Sequence, residues 1–143
     1  MDNNLRIGDV HEFDYVVGAG KMVPDLYPES PEFVEMPRVF ATGFMVGLLE
    51  WAAIRSLNPH LEPGEGSLGT YVDIRHSAPT PAGATLTVTA TVTKVDLPYV
   101  EWEVTAVDGD GDVAAHGTHG RNVIETERFL RRVEAKRTRL VEG

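Results

Sequence analysis

The feature that most constrains this chain is an apolar segment from Val39 to Leu57 that is predicted to form a helix. Its polar face is almost absent, because most of its positions carry Phe40, Phe44, Met45, Val46, Leu48, Leu49, Trp51, Ala52, Ala53 and Ile54. A helix that is apolar all round is enclosed by other parts of the protein, and Asn58-Pro59 is a typical stop signal. With 143 residues, about the size of one domain, the chain must enclose this helix with its own remaining segments.

Alternating apolar and polar residues elsewhere in the chain predict strands that supply this enclosure. The predicted strands cover about 5–17, 68–76, 85–93, 100–106 and 113–124, and short turns lie at 78–83, 96–98 and 108–112. Turns this short favour antiparallel neighbours. In the 68–76 strand, the alternation predicts Leu68, Val72, Ile74 and His76 on the face toward the core. We therefore predict a single α+β domain over residues 1–143, with one long buried helix wrapped by a curved antiparallel sheet of about five strands and a short C-terminal helix.

Residues 21–38 are predicted to form an ordered loop or broken helical turns, since they hold four of the nine prolines. The same segment also carries several large apolar side chains. A long apolar loop commonly covers a site, so we interpret this segment as a lid.

Composition and charge exclude several classes of protein. Without cysteine the chain can form no disulfide, thiolate metal site or cysteine nucleophile, and no apolar run reaches the length of a membrane span. Residues 128–143 hold six basic and two acidic residues, a net +4, while the rest holds seven basic and twenty acidic residues, a net −13. An acidic body argues against nucleic-acid binding. We expect a cytoplasmic protein whose basic tail, about residues 126–143, is either a solvated helix or a contact for a phosphorylated ligand.

Three motifs suggest sites that their context does not support. Residues 64–69 match GxGxxG, yet they follow a helix and open a strand, the reverse of a dinucleotide fingerprint. The acidic stretch 108–112 begins like a calcium loop, but Val113 and His119 stand where such a loop needs glycine and glutamate. His116 and His119 lie three apart on a predicted strand and so face opposite sides of the sheet. We predict a hairpin turn at 108–112 and no metal site.

Three polar side chains are predicted to face the enclosed interior. Glu50 lies on the apolar helix, and a carboxylate buried there must be paired, protonated or functional. His76 has the parity of the core face of its strand, and Thr42 lies near the start of the helix. Each has a structural alternative: an ion pair or a helix edge for Glu50, a satisfied core histidine for His76, and a helix cap for Thr42. Together, a hydroxyl, a carboxylate and an imidazole are the groups that acyl transfer or hydrolysis requires.

Helix geometry limits how this set could act. Thr42 and Glu50 lie eight residues apart, about 12 Å at 1.5 Å per residue, so their side chains cannot bond directly. Either a substrate lies between them, or residues of two chains combine at a two-fold interface. We favour the second arrangement and expect a homodimer.

The sequence resembles the fluoroacetyl-CoA thioesterase family over most of residues 5–130, and four stretches carry the resemblance. They are LYPESPEF at 26–33, VFATGFMVGLLEWA at 39–52, LEPGEGSLGT at 61–70 and GTH at 117–119. The resemblance implies a hot-dog fold, a homodimer and hydrolysis of a short acyl-CoA thioester. It also implies that coenzyme A is part of the substrate and that no separate cofactor or metal is needed.

The resemblance also assigns site residues. The family's catalytic threonine, glutamate and histidine fall on Thr42, Glu50 and His76, and its active-site glycine falls on Gly69. Arg121 is the expected coenzyme contact. The lid positions of the family fall on Val23, Leu26, Phe33 and Met36.

Chemically, thioester hydrolysis needs a nucleophile, a proton relay and oxyanion stabilisation. We expect Glu50 or Thr42 to act as nucleophile or to activate water, His76 to act as acid and base, and the Gly69 amide to bind the oxyanion.

Three alternatives to a fluoroacetyl-CoA thioesterase remain at this point. A general short-chain acyl-CoA thioesterase is one, because the family has a phenylalanine where this chain has the more adaptable Met36. A hydratase of the same fold is the second. Such an enzyme typically has four residues between its aspartate and histidine, whereas only two separate Asp73 from His76 here, which argues against it. A non-catalytic acyl-CoA binding module is the third.

Overall fold

The computed structural model describes residues 1–142 and contains a five-stranded antiparallel sheet packed on one long helix. The strands are β1 (Val10–Val16), β2 (Glu65–His76), β3 (Thr85–Asp96), β4 (Tyr99–Val107) and β5 (Val113–Glu125). The helices are α1 (Val23–Leu26), α2 (Pro31–Val34), α3 (Thr42–Leu57) and α4 (Thr126–Arg137), followed by a π-helical turn over Thr138–Glu142. The sheet order is β1-β3-β4-β5-β2, so β1 and β2 form its edges.

The predicted architecture is confirmed, although the first strand and the long helix both begin later than predicted. The first strand begins at Val10 and not at Leu5, because Gly8 adopts a φ of +94° and turns the chain there. Leu5 instead packs into the core. The long helix begins at Thr42 and not at Val39, since Phe40 forms a bridge with Met22. The 108–112 turn forms as predicted, and the Asp108 carboxylate accepts backbone N–H groups from Asp110 and Asp112.

Helix α3 contacts all five strands. Five strands about 4.8 Å apart are wider than a helix about 10 Å across, so the sheet has to curve around α3 to touch it everywhere. The core lies between them, and its largest member, Trp102, donates its indole N–H to Ser56 Oγ at 2.9 Å. Fully burying each large apolar side chain there contributes roughly 1.5–3 kcal/mol.

One face of α3 is open in the single chain, contrary to the prediction of a helix enclosed all round. Gly43, Gly47, Trp51 and Arg55 follow one another at a spacing of four residues, and all are exposed. The reason is that the sheet covers only the opposite face of α3, where Met45, Leu49 and Ala52 are buried. The guanidinium of Arg55 lies over the Trp51 ring and covers part of this exposed apolar surface.

Candidate active site

The first cluster of the site joins the start of α3 to the end of β2. Thr42 Oγ1 lies 2.9 Å from Nδ1 of His76. Ala41, and not Thr42, occupies the capping position of α3, and no side-chain cap is made. The helix-cap alternative for Thr42 is therefore wrong, because its hydroxyl bonds to the imidazole.

The surroundings of His76 favour the neutral form of its imidazole. Partial burial lowers its pKa below the ordinary value of 6.5, against a smaller opposing effect from the Ala78 backbone. Its Nε2 atom is buried and has no hydrogen-bond partner within residues 1–142. In the neutral tautomer that carries its proton on Nε2, Nδ1 accepts the hydrogen bond of the Thr42 hydroxyl. This is the arrangement that a general base requires.

The second cluster surrounds Glu50 in the middle of α3. Glu50 Oε1 lies 3.2 Å from Nη1 of Arg121 and 3.8 Å from Nε2 of His119. A Cβ added to Gly69 would lie 2.6 Å from the same oxygen, so the carboxylate sits directly against the Gly69 backbone. The Glu50 side chain is 33% exposed, which differs from the sealed interior that the apolar sequence predicted. Its position at the open edge of α3, between helix and β2, leaves it accessible to a substrate.

Arg121 is the most buried of the predicted site residues. It was expected at the coenzyme, yet it is only 6% exposed and its guanidinium faces Glu50 and β2. Burial lowers its pKa from the ordinary arginine value, while the charge of Glu50 acts in the opposite direction. Nε donates to Ser67 Oγ at 2.8 Å and Nη2 donates to the Ser67 carbonyl oxygen at 3.1 Å.

His119 and Ser67 are site residues that the sequence interpretation missed. His119 is 1% exposed, and burial lowers its pKa more than its bond to the Tyr71 backbone raises it. His116 is exposed on the other face of β5, as predicted from the spacing. The signal for His119 was available in that same alternation, which places it inward beside the core residue Trp102.

A β-bulge in β2 explains why Gly69 and His76 both face α3. The strand register shifts between Gly69 and Tyr71, so Thr70 is the extra residue. Before the bulge, Ser67 and Gly69 face the helix; after it, Val72, Ile74 and His76 do so. The prediction that put Leu68 on the same face as His76 is therefore wrong, because the extra residue reverses the alternation. Val72 faces inward yet is 47% exposed, since β2 is an edge strand.

The structure brings the predicted residues into two clusters, one of Thr42 with His76 and one of Glu50 with Gly69. Seven residues along β2, about 23 Å at 3.3 Å each, separate His76 from Gly69. On the helix side, Thr42 and Glu50 are separated by the shorter distance of about 12 Å along α3, which is still too far for direct contact. One chain thus places the predicted site residues in two separate clusters, at the two ends of an exposed strand segment.

Comparison with known proteins decides the family. The profile of the fluoroacetyl-CoA-specific thioesterase family matches residues 27–127. The fluoroacetyl-CoA thioesterase of Streptantibioticus cattleyicolor is 51% identical over 136 residues, which cover 95% of this chain and 97% of the relative. The chain belongs to the fluoroacetyl-CoA-specific thioesterase family.

Solved structures agree with this family and its fold. A structure of the fluoroacetyl-CoA thioesterase FlK superposes with a TM-score of 0.91 at 51% identity, covering 94% of this chain and 98% of that one. A hot-dog-like protein from Thermanaerovibrio acidaminovorans superposes with a TM-score of 0.79 at 25% identity, covering 95% and 97% of the two chains. The predicted hot-dog fold is confirmed.

The segment predicted as the family's lid packs on the start of α3. Leu26 sits against Gly43, where an added Cβ would lie 3.0 Å from its side chain. Phe33 packs against Tyr27, with the two rings tilted and their centroids 5.5 Å apart. Val23 is half-buried, while Met36 is 51% exposed at the far end of the segment. The lid assignments of these residues stay predictions.

Two further features lie away from both clusters. The basic helix α4 has no buried residue, and Arg137 pairs with Glu134 and Glu142 of the same tail. An apolar cleft of about 310 Å³, which contacts Phe44 and Trp51, lies on the flank of α3 opposite Glu50. None of the predicted site residues lines this cleft.

Within residues 1–142, no helix is long and apolar enough to cross a membrane.

Proposed function

We propose that this protein hydrolyses a short acyl-CoA thioester and that fluoroacetyl-CoA is its substrate. The observation that carries the proposal is the 2.9 Å contact between Thr42 Oγ1 and His76 Nδ1, which pairs a nucleophile with a base. The 51% identity to a fluoroacetyl-CoA thioesterase supports the choice of acyl group. Cytoplasm remains the expected location.

In the proposed reaction, Thr42 Oγ1 attacks the thioester carbonyl carbon while His76 takes the hydroxyl proton. The C–S bond breaks, His76 returns the proton to the departing thiolate, and an acyl ester remains on Thr42. Water then attacks this ester while Glu50 takes a proton from the water, and Glu50 returns that proton to the Thr42 oxygen as the ester C–O bond breaks and the acid leaves. We choose Thr42 as the attacking group because Glu50 Oε1 is already held by Arg121.

We infer that two chains form the working unit. Strand β2 is an edge of the sheet, and Tyr71 and Val72 are 42% and 47% exposed in its middle. An unpaired apolar edge favours pairing with another strand. A two-fold axis through the middle of the 69–76 segment would set Gly69 of one chain beside His76 of the other. Each dimer would then hold two sites, each completed by Glu50 and Gly69 from the second chain.

The bulge supports a role for the backbone beside Gly69. An extra residue interrupts the ladder between β2 and β5 at this point, and bulges of this kind leave a backbone group unpaired. An N–H freed from the ladder next to Glu50 is suited to the oxyanion that forms when the carbonyl is attacked.

The test of the proposed function is a comparison of acyl groups. Purified protein is assayed for release of the coenzyme A thiol from fluoroacetyl-CoA, acetyl-CoA and a longer acyl-CoA. We expect kcat/KM to be highest for fluoroacetyl-CoA. Equal values for fluoroacetyl- and acetyl-CoA would favour the general short-chain thioesterase, for which the exposed, adaptable Met36 is the structural argument. Binding without thiol release would instead favour a non-catalytic binding module.

A further inference from the structure

We propose that Arg121 is a positioning residue that aims the Glu50 carboxylate, and that His119 and Ser67 hold its guanidinium in place for this purpose. The proposal rests on the proposed function, since it concerns the carboxylate of that site. It assigns to Arg121 a role other than the coenzyme contact that the family resemblance implies.

The hydrogen bonds of Arg121 are the main argument. A guanidinium has five N–H donors, and four of them are used: one each by Ser67 Oγ, the Ser67 carbonyl, Glu50 Oε1 and His119 Nε2. All four distances lie between 2.8 and 3.2 Å. Bidentate binding of a phosphate by arginine needs two free, exposed N–H donors. Arg121 is 6% exposed and has one donor left.

His119 explains how the guanidinium keeps its orientation. Its Nδ1 donates to the Tyr71 carbonyl at 2.8 Å, which leaves the lone pair of Nε2 free to accept from Arg121 Nη1 at 3.2 Å. The ring is also stacked on Trp102, with centroids 6.4 Å apart. A neutral acceptor fixed by backbone and core therefore shares the same Nη1 that bonds to Glu50. The β2 backbone, His119 and Arg121 form one continuous chain of hydrogen bonds ending at the carboxylate.

The position of Glu50 shows why such a support is needed. Its side chain is 33% exposed, and an exposed glutamate has several rotamers available. Arg121 selects the one in which Oε1 lies against Gly69, where an added Cβ would be 2.6 Å away. Misplacing a reacting group by about 1 Å costs roughly 100-fold in rate.

The experiment compares two fluoroacetyl thioesters: the coenzyme A thioester, and the N-acetylcysteamine thioester, which lacks every phosphate. The variants are Arg121→Gln, Ser67→Ala and, as a matched control, Arg6→Gln at an exposed arginine whose guanidinium bonds to the Asn3 and Leu5 carbonyls. We expect Arg121→Gln to lower kcat/KM about 100-fold for both thioesters, with the loss in kcat. Ser67→Ala removes one of the four bonds and should lower kcat/KM about tenfold for both. Arg6→Gln should stay within about twofold of wild type.

A loss confined to the coenzyme A thioester, or expressed in KM alone, would overturn the proposal and return Arg121 to coenzyme binding. If Arg121→Gln does not fold, as judged by circular dichroism, Ser67→Ala decides, and unchanged kcat in that variant would overturn the proposal. A wild-type protein that hydrolyses neither thioester would overturn the proposed function and this role together. A wild-type protein that hydrolyses both, with the variants unchanged, would overturn this role alone.

Discussion

Thr42 and His76 lie 34 positions apart in the sequence, and Oγ1 of the first is 2.9 Å from Nδ1 of the second. The contact exists because α3 begins at Thr42, where the last residue of β2 lies on the inner face of the sheet. Ala41 holds the capping position and makes no side-chain cap, so the Thr42 hydroxyl in the first turn is free for chemistry.

Removing the Thr42 hydroxyl should abolish most of the activity. Valine matches threonine in shape, so Thr42→Val deletes the oxygen and keeps the packing at the start of α3. We expect kcat for fluoroacetyl-CoA to fall about 100-fold or more, since the acceptor of the acyl group is lost. Thr42→Ser is the matched control and should retain kcat within about tenfold, because it keeps the oxygen. Equal rates for Thr42→Val and wild type would show that another group attacks.

The pH profile should report the neutral state of His76. Burial lowers its pKa below 6.5, so the ring loses its proton at a lower pH than an exposed histidine does. A base works only when unprotonated, so lowering the pH removes activity as His76 binds its proton. We therefore expect kcat/KM to fall as the pH is lowered and to reach half its maximum below pH 6.5. A midpoint above 6.5 would contradict the account.

Much of the fold was predictable from sequence, because the signals involved are local. The apolar stretch of α3 and the strict alternation of β3 and β4 depend only on neighbouring residues. The bulge at Thr70 was not predictable, since nothing in the residues of β2 marks where one extra residue enters the register. That single residue changed which side chains of β2 face the helix.

The candidate site was predictable only in part for a similar reason. Thr42, Glu50 and His76 stand out as polar groups in apolar surroundings, and the structure places each of them at one of the two clusters. Which of them touch depends on the crossing of α3 over β2, a long-range property. The bonds of Arg121 were also hidden, because Ser67 and Glu50 reach it from 54 and 71 positions away.

Adding one methyl group at Gly69 should disturb Glu50. The Cβ of Gly69→Ala would lie 2.6 Å from Glu50 Oε1 and must push the carboxylate away. Gly69 is not among the glycines with positive φ, so alanine costs no backbone strain there. We expect kcat to fall about 100-fold through this displacement. Gly47→Ala is the control, since its Cβ would meet no atom within 4 Å, and it should leave kcat unchanged. Full activity of Gly69→Ala would argue against a close approach of Glu50.

Blocking the exposed edge of β2 should separate the two chains. A lysine on an edge strand hinders pairing with another strand, so Tyr71→Lys should convert the proposed dimer to a monomer. We expect its kcat/KM to fall about tenfold or more, as each site loses residues from the second chain. Val10→Lys places the same charge on β1, the other edge of the sheet, and should remain a dimer. Sedimentation velocity gives the assembly state, and a wild-type monomer with full activity at high dilution would refute the shared site.

If Glu50 and the Thr42–His76 pair together hydrolyse a short acyl-CoA thioester, Glu50→Gln should remove the activity. The substitution keeps the size of the side chain and removes its capacity to take a proton. Thiol release from fluoroacetyl-CoA is measured for wild type, Glu50→Gln and, as a control, Glu103→Gln at an exposed site on β4. We predict that wild type and Glu103→Gln have the same kcat, while the kcat of Glu50→Gln is lower by about 100-fold or more and its fold is intact. A Glu50→Gln protein that releases thiol at the wild-type rate would contradict the account.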